Sequence, residues 1–169
     1  MSRPALSADC SACAALCCLA LALDRGESFA IDKPAGTPCP NLAGHACAIH
    51  ADLAKKGFPG CTRYSCHGAG QRVVQEVFAG RSWQDDPALT GPMIAAFGDM
   101  RAVQSRLELL VAAEALPLAK GDAARRDALE RALWPEALDT ARLDGFATSP
   151  LSREIDTFVA SLRRYVPAP

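Results

Sequence analysis

With 169 residues, half of them hydrophobic, the chain has material for one sizeable core, or for one core with an appended module. Eighteen Lys and Arg against nineteen Asp and Glu leave a formal charge of −1, with no basic block to neutralise a run of phosphates, which argues against nucleic acid as a partner. The informative asymmetry is in the eight cysteines, which all fall between Cys10 and Cys66 and leave the rest of the chain without any.

An even cysteine count suits a disulfide framework, but such frameworks staple secreted chains too small to bury a core, and this one can bury its own. A secretory leader also fits poorly. The apolar run over residues 12–23 has a leader's length and Ala20-Leu21-Ala22 matches a small-x-small cleavage site, yet only Arg3 lies ahead of it as a basic residue, acidic Asp9 follows, and cleavage there discards half of the cysteines. The run is shorter than the about 20 apolar residues of a membrane span. These features predict a cytoplasmic, reduced protein that does not enter a membrane.

Ser7 or Asp9 suits the start of a first helix, and the Ala- and Leu-rich window predicts one over residues 8–23, ended by Asp24-Arg25-Gly26. The Pro and Gly density over 27–50 predicts ordered loop with a short extended piece at 29–31. Residues 48–56 predict a short helix stopped by Gly57, and Phe58-Pro59-Gly60 a turn into Cys61. Another helix is predicted over 70–78, closed by Gly80. Beyond Trp83 the pattern is plainly helical, with Asp86-Pro87 and Thr90-Gly91-Pro92 as start signals. Ile94, Phe97, Val103, Leu107, Leu110 and Val111, with Met100 or Arg101 between them, keep helical spacing to about Leu116. Further helices are predicted at 122–133, at 135–144 with Gly145 behind it, and at 150–166 with Ser149 as cap. Ile155, Phe158, Val159 and Leu162 make the apolar stripe of the last, which reads as core before it reads as a partner surface.

The cysteines carry the chemistry. They run Cys10-x2-Cys13-x3-Cys17-Cys18, then Cys39, Cys47 and Cys61-x4-Cys66. Thiolates must converge within a few ångströms of a metal, and short gaps bring pairs of them there with little loop entropy. On a helix at about 100° per residue Cys10, Cys13 and Cys17 share a face while Cys18 projects to its flank, so Cys17 and Cys18 are expected to serve different neighbours. Eight thiolates match two four-thiolate centres or one polynuclear site. An iron-sulfur cluster and an all-cysteine structural zinc each take four, so the count admits either or a mixture. Neither two separated CxxC pairs of a zinc ribbon nor the common ferredoxin run is present.

The segments "CSACAALCC", "CPNLAGHACAIH" and "CTRYSC" resemble the YkgJ-type cysteine-cluster family, whose pattern is CxxCxxxCC, a C-P-x-L element, a C-x-I-[YH] element and a closing C-x4-C. All eight cysteines fall on positions of that pattern, which covers residues 10 to about 67. The family is described as zinc- or iron-chelating and often as iron-sulfur proteins, and a related module of flagellin lysine methylases is associated with an iron-sulfur centre. The resemblance therefore implies metal binding without fixing the metal or a reaction; a 4Fe-4S cluster is the expected group, with zinc as alternative or companion, held by Cys10, Cys13, Cys17, Cys18, Cys39, Cys47, Cys61 and Cys66. A further likeness, over "FAIDKPAGTPCPNL" and "GFPGCTRYSCHGAGQRVVQEVFAGRSW", is to the amino-terminal module of actinobacterial proteins labelled pentapeptide-repeat proteins. The repeats themselves need serial A-[DN]-L-x-x units, and only Ala51-Asp52-Leu53 offers one, so no pentapeptide solenoid is expected.

His45, His50 and His67 lie near cysteines and suit a supporting role better than ligation, with His50 on the C-x-I-[YH] element the best of them. Lys33, Lys55, Arg63 and Arg72 are candidates to offset thiolate charge, although plain solvation is the simpler reading. "HGAGQ" at 67–71 lacks the Lys-Ser/Thr of a phosphate loop, and Asp85 and Asp86 read as a helix start rather than as catalytic carboxylates. The expected fold is mainly α, an irregular cysteine-rich module over 1–80 packed on a helical part over 81–169, the two sharing a core. The expected function is metal binding with an electron-transfer, sensing or structural role, and a protein partner met through the helical part. The alternative is a metal- or thiol-dependent redox or group-transfer enzyme, for which the vicinal Cys17-Cys18 pair and the CxxC of Cys10 and Cys13 are the candidates.

Overall fold

In chain order the computed structural model, which describes residues 3–166, contains α1 (Leu16–Ala20), β1 (Leu42–Ala43), β2 (Ala46–Cys47), α2 (Pro59–Arg63), α3 (Ala69–Arg72), α4 (Thr90–Ala112), α5 (Lys120–Ala132), α6 (Thr140–Leu143) and α7 (Pro150–Ser161). The fold is mainly α, as the periodicity predicts. Helix α4 is its axis because Met93, Phe97, Met100, Leu107 and Leu110, spaced by three, four and seven residues, are all buried along one stripe. Against it pack α1, α3, α5, α6 and α7. One hydrophobic cluster draws Leu16, Leu19 and Val73 from the amino-terminal part together with Phe97, Leu107, Ile155 and Leu162 from the helical part. Burial of each such side chain contributes about 1.5–3 kcal/mol. Side chains from 1–80 and from 81–169 thus meet in one hydrophobic cluster among the described residues; positions 1–2 and 167–169 lie outside them.

The carboxy-terminal helices follow the sequence closely. Asp86 caps a 3-10 turn at Pro87–Leu89 that leads into α4, and Ser149 Oγ accepts from the Ser152 N–H at 3.1 Å to start α7. A 3-10 turn at Leu162–Tyr165 continues α7, giving nearly the whole predicted span. The exception is 135–144, where only α6 is helical: Asp139 caps it, accepting from the Arg142 N–H at 2.8 Å, and so fixes the start later than the pattern suggests.

The amino-terminal third departs further. The predicted helix over 8–23 is broken. Asp9 caps a 3-10 turn at Cys10–Ala12, and the chain then passes through Ala15 at a left-handed φ of 53° before α1 begins. Local propensity opposes that break, since Ala favours the right-handed helix. Tertiary hydrogen bonds hold it instead: Trp83 Nε1 donates to the Ala14 carbonyl at 2.7 Å and Gln75 Nε2 to the Ala12 carbonyl at 3.1 Å. The extended contact expected at 29–31 lies at Lys33, which exchanges backbone hydrogen bonds with Leu23 at 2.8 and 2.9 Å. The pairing of β1 with β2 is a small antiparallel hairpin turned by Gly44 at φ 57°. In place of a helix over 48–56 there is a 3-10 turn at His50–Asp52 and further turns to Gly57. The expected turn at 58–60 opens α2, with Pro59 in the first turn where a missing N–H costs nothing. Residues 70–78 are helical as predicted, but α3 widens into a π turn at Val73–Val77.

Candidate metal centre

All eight cysteines are free thiols, Cys10 exposed and the others partly buried. They come from three separate stretches of chain, and the breaks described above decide how they meet. Cys66 closes the loop after α2, and its carbonyl accepts from the Ala69 N–H at 2.9 Å at the start of α3. One residue on, Gly70 lies under Cys13 so tightly that a Cβ there would overlap the Cys13 Sγ. Burial pushes the Cys13 thiol up to about 12, with the charges of Cys17, Cys66 and Cys10 adding to it. Burial likewise raises Cys10, again with Cys17 and Cys66 as the neighbouring charges. Cys10, Cys13, Cys17 and Cys66 are thus coupled electrostatically.

A second set of thiols is tied to α1. The Cys39 N–H donates to the Cys18 carbonyl at 3.0 Å, the Leu42 N–H donates to the Cys39 carbonyl at 3.0 Å, and Leu42 lies opposite Cys47 in the hairpin. Cys61, within α2, is raised first by burial and then by the charges of Cys17, Cys39 and Cys47. Cys18 carries the same two loop thiols among its neighbours. Cys17 and Cys18 join the two sets: the Cys18 thiol donates to the Cys17 sulfur, which lowers Cys17 and raises Cys18, and the Arg101 guanidinium also favours the Cys17 thiolate. The continuous helix from which Cys17 and Cys18 were expected to serve different neighbours is absent, because the chain breaks at Ala15 before α1. Among the described residues no three His, Cys, Asp or Glu side chains already converge to metal-ligating geometry.

No family model matches the chain. No solved structure matches it either. The chain is similar to the uncharacterized protein YybG of Bacillus subtilis (strain 168), with 43% identity over 116 residues, or 68% of this chain. It spans 42% of that relative's length.

Around the thiols the cations sort clearly. Lys33 is 4% exposed and gives its ammonium to the carbonyls of Thr37 at 2.7 Å, Pro34 at 3.0 Å and Leu19 at 3.4 Å. Burial lowers its pKa, and the charges of Cys39, Cys18 and Cys17 work against that. The other three candidates are engaged elsewhere: Lys55 with Asp52, Arg63 with Ser28, and Arg72 with Glu76 and Gln104. His45 lies 3.2 Å from Ser82 Oγ and His67 3.3 Å from Glu108, while His50 is exposed in its 3-10 turn. The "HGAGQ" stretch is a packing device. Gly68 at φ 84° lets the Ala5 carbonyl approach to within 2.8 Å of where a Cβ would stand, and Gln104 Nε2 donates to the Ala5 carbonyl at 3.2 Å and to that of His67 at 2.5 Å.

Two residues of the site escape sequence reasoning. Arg101, on α4, electrostatically favours the Cys17 thiolate, and its guanidinium lies 5.5 Å from the centre of the Tyr64 ring. The signal was its place in an otherwise apolar stripe. Tyr64 sits inside the Cys61-x4-Cys66 spacing, and its hydroxyl is buried without a hydrogen-bond partner among the described residues. Soft thiol donors in this number suit a thiophilic metal.

Among the described residues no helix is long and apolar enough to cross a membrane. The Tyr64 hydroxyl is raised above its ordinary range by burial, so it keeps its proton at neutral pH despite the opposing pull of Arg101. The hydroxyl is therefore a donor.

Proposed function

We propose that this protein is a metal-binding protein whose eight thiolates hold an iron-sulfur cluster, zinc or both, grouped as Cys10, Cys13, Cys17 and Cys66, and as Cys18, Cys39, Cys47 and Cys61. The observation that supports this reading is the presence of eight free thiols on three stretches of chain, with Cys17 and Cys18 adjacent in α1 and acting electrostatically on thiols of the other stretches. Four thiolates apiece is what a 4Fe-4S cluster or a structural zinc requires. Such a group supplies a one-electron redox centre in the first case and a cross-link in the second. With every position filled by protein the centres are closed, which suits electron transfer, sensing or stabilisation of the fold rather than substrate binding. Free thiols in this number belong to a reducing compartment, and we place the protein in the cytoplasm. A protein partner met through the helical part would complete an electron-transfer role.

The test is elemental analysis with an absorption spectrum on protein purified without oxygen. Iron with acid-labile sulfide and a broad charge-transfer band identifies the cluster, and stoichiometric zinc in colourless protein identifies the structural alternative. Metal-free protein with paired disulfides overturns the reading. A thiol-dependent enzyme is the second reading, favoured by the hydrogen bond from Cys18 that keeps Cys17 readily ionised. It requires Cys17→Ser to abolish rapid alkylation of native protein by iodoacetamide while metal content stays at zero in both forms.

A further inference from the structure

Residues 3–9 form neither helix nor strand, and every side chain from Arg3 to Cys13 is exposed or only partly buried, whereas Ala14, Ala15 and Leu16 are buried. The segment is held by polar side chains that stand far along the chain. Arg3 Nε donates to Glu130 Oε1 at 2.6 Å, and another nitrogen of the same guanidinium donates to Glu114. Gln104 Nε2 donates to the Ala5 carbonyl at 3.2 Å and Gln71 Nε2 to that of Ser7 at 3.2 Å, while the Asp9 N–H donates to Gln71 Oε1. Gln75 then holds the Ala12 carbonyl and Trp83 that of Ala14, where the chain turns through left-handed Ala15 into the core. The surface beneath the segment is polar as well: Gln104 is 0% exposed and also accepts from Arg72 at 3.0 Å, and Glu130 is 5% exposed. Water can take over each of these contacts if the segment lifts, but it cannot replace the burial of Leu16 or Leu19. A segment held by few apolar contacts and by exposed hydrogen bonds opens locally, at less cost than the whole fold.

We propose that residues 3–13 are a strap, latched by Arg3 on Glu130 and Glu114 and hinged at Ala14 and Ala15, whose opening lifts Cys13 off α3 and exposes its thiol while the core stays folded. Cys13 rides on the strap, and its Sγ stands where a Cβ on Gly70 of α3 would be, so the closed strap presses that sulfur against the helix. Cys17 and Cys18 lie beyond the hinge in α1, and Cys61 lies in α2; neither helix moves with the strap. The latch is stronger than an ordinary surface ion pair because the Glu130 side chain is 7% exposed, and the Arg3 guanidinium is its hydrogen-bond partner. Releasing Arg3 removes the reason for the strap to lie over that carboxylate.

The experiment compares full-length wild-type protein with Arg3→Gln and Gln71→Leu, all purified reduced and without oxygen. Each is labelled with iodoacetamide at several urea concentrations below its unfolding transition, and the rates at Cys13 and at Cys61 are read by mass mapping of peptides. In the wild type, labelling of Cys13 is expected to be nearly independent of urea, as local opening exposes little surface. Arg3→Gln is expected to speed labelling of Cys13 about three- to tenfold and to leave Cys61 at its wild-type rate. Gln71→Leu removes two contacts of the strap and is expected to act in the same direction. Unchanged labelling of Cys13 in both variants overturns the proposal. So does equal acceleration at Cys61, which would mean general loosening of the fold, and so does labelling of Cys13 that climbs with urea as steeply as global unfolding.

Discussion

Gly70 lies against Cys13 so closely that a Cβ on the glycine would occupy the volume of the cysteine sulfur. This relationship ties the helix start after Cys66 to the turn that carries Cys10 and Cys13, and it explains a residue that helix propensity alone disfavours at that point. Alanine in place of a mid-helix glycine is ordinarily worth up to about 1 kcal/mol, but here the sulfur has to move, and overpacking of this kind costs about 1–3 kcal/mol. Gly70→Ala is therefore expected to lower both stability and metal content. Gly98→Ala, in α4 with nothing within 4 Å of the added carbon, is the matched control and is expected to raise stability by about 1 kcal/mol. Urea unfolding of the two variants, with metal analysis on each, decides the matter, and equal gains in both would show that Cys13 is free to turn away.

The grouping of the thiols makes a separate stoichiometric prediction. The Cys10 thiol is acted on by the charges of Cys17 and Cys66, and the Cys61 thiol by those of Cys17, then Cys39 and Cys47, and the proposed grouping places them in different centres. Cys10→Ser and Cys61→Ser are each expected to lose about half of the bound metal, and the double variant nearly all of it, because each centre takes four thiolates. Loss of all metal from either single variant would point to one shared polynuclear site.

What could be read from the sequence divides along the chain for a physical reason. Helices α4, α5 and α7 announce themselves because their stability comes from stripes such as Phe97, Leu107 and Leu110, or Ile155 and Phe158, and stripes are visible in a sequence. The cysteine region is held by single long-range contacts that leave no periodic trace. Nothing local to Ala15 indicates a left-handed residue, because the groups that impose it, Trp83 and Gln75, stand more than sixty positions away along the chain. The eight cysteines themselves were legible from the sequence, but the placing of Cys61 inside α2 and of Cys66 in the loop beyond it was not, since the turn that opens α2 at Pro59 gives no periodic signal. The approach of Arg101 to the Tyr64 ring was missed for a related reason: it arises only from the packing of the turn after α2 against α4.

Trp83 offers a test of that long-range control. Its indole N–H donates at 2.7 Å to the carbonyl of buried Ala14, one residue before the left-handed Ala15. Trp83→Phe keeps much of the apolar contact and removes the donor, leaving a buried carbonyl unpaired at a cost of about 1–3 kcal/mol. The expected outcome is a lower urea midpoint with an unchanged slope, and faster modification of Cys13 by iodoacetamide in metal-free protein. Modification of Cys13 at the wild-type rate would show that the break at Ala15 does not depend on the indole.

The Asp122 carboxylate fixes the end of the chain to α5, accepting hydrogen bonds from the Tyr165 hydroxyl and from Arg164. The hydrogen bond from Tyr165, followed by that from Arg164, holds this carboxyl below the usual carboxylate range. Because the folded pKa is depressed, the carboxylate contributes stability above its unfolded pKa, near pH 4, and that contribution is lost as the pH falls through the folded value. Asp122→Asn is therefore expected to melt at a lower temperature than the wild type at pH 7, and the gap is expected to narrow steadily below pH 4. Solvent and salt reach this group, so the gap should also shrink in 1 M sodium chloride. Thermal melts of both proteins at pH 7 and pH 3 provide the comparison, and a gap that stays constant between them would mean that Tyr165 and Arg164 do not distinguish the carboxylate from the amide.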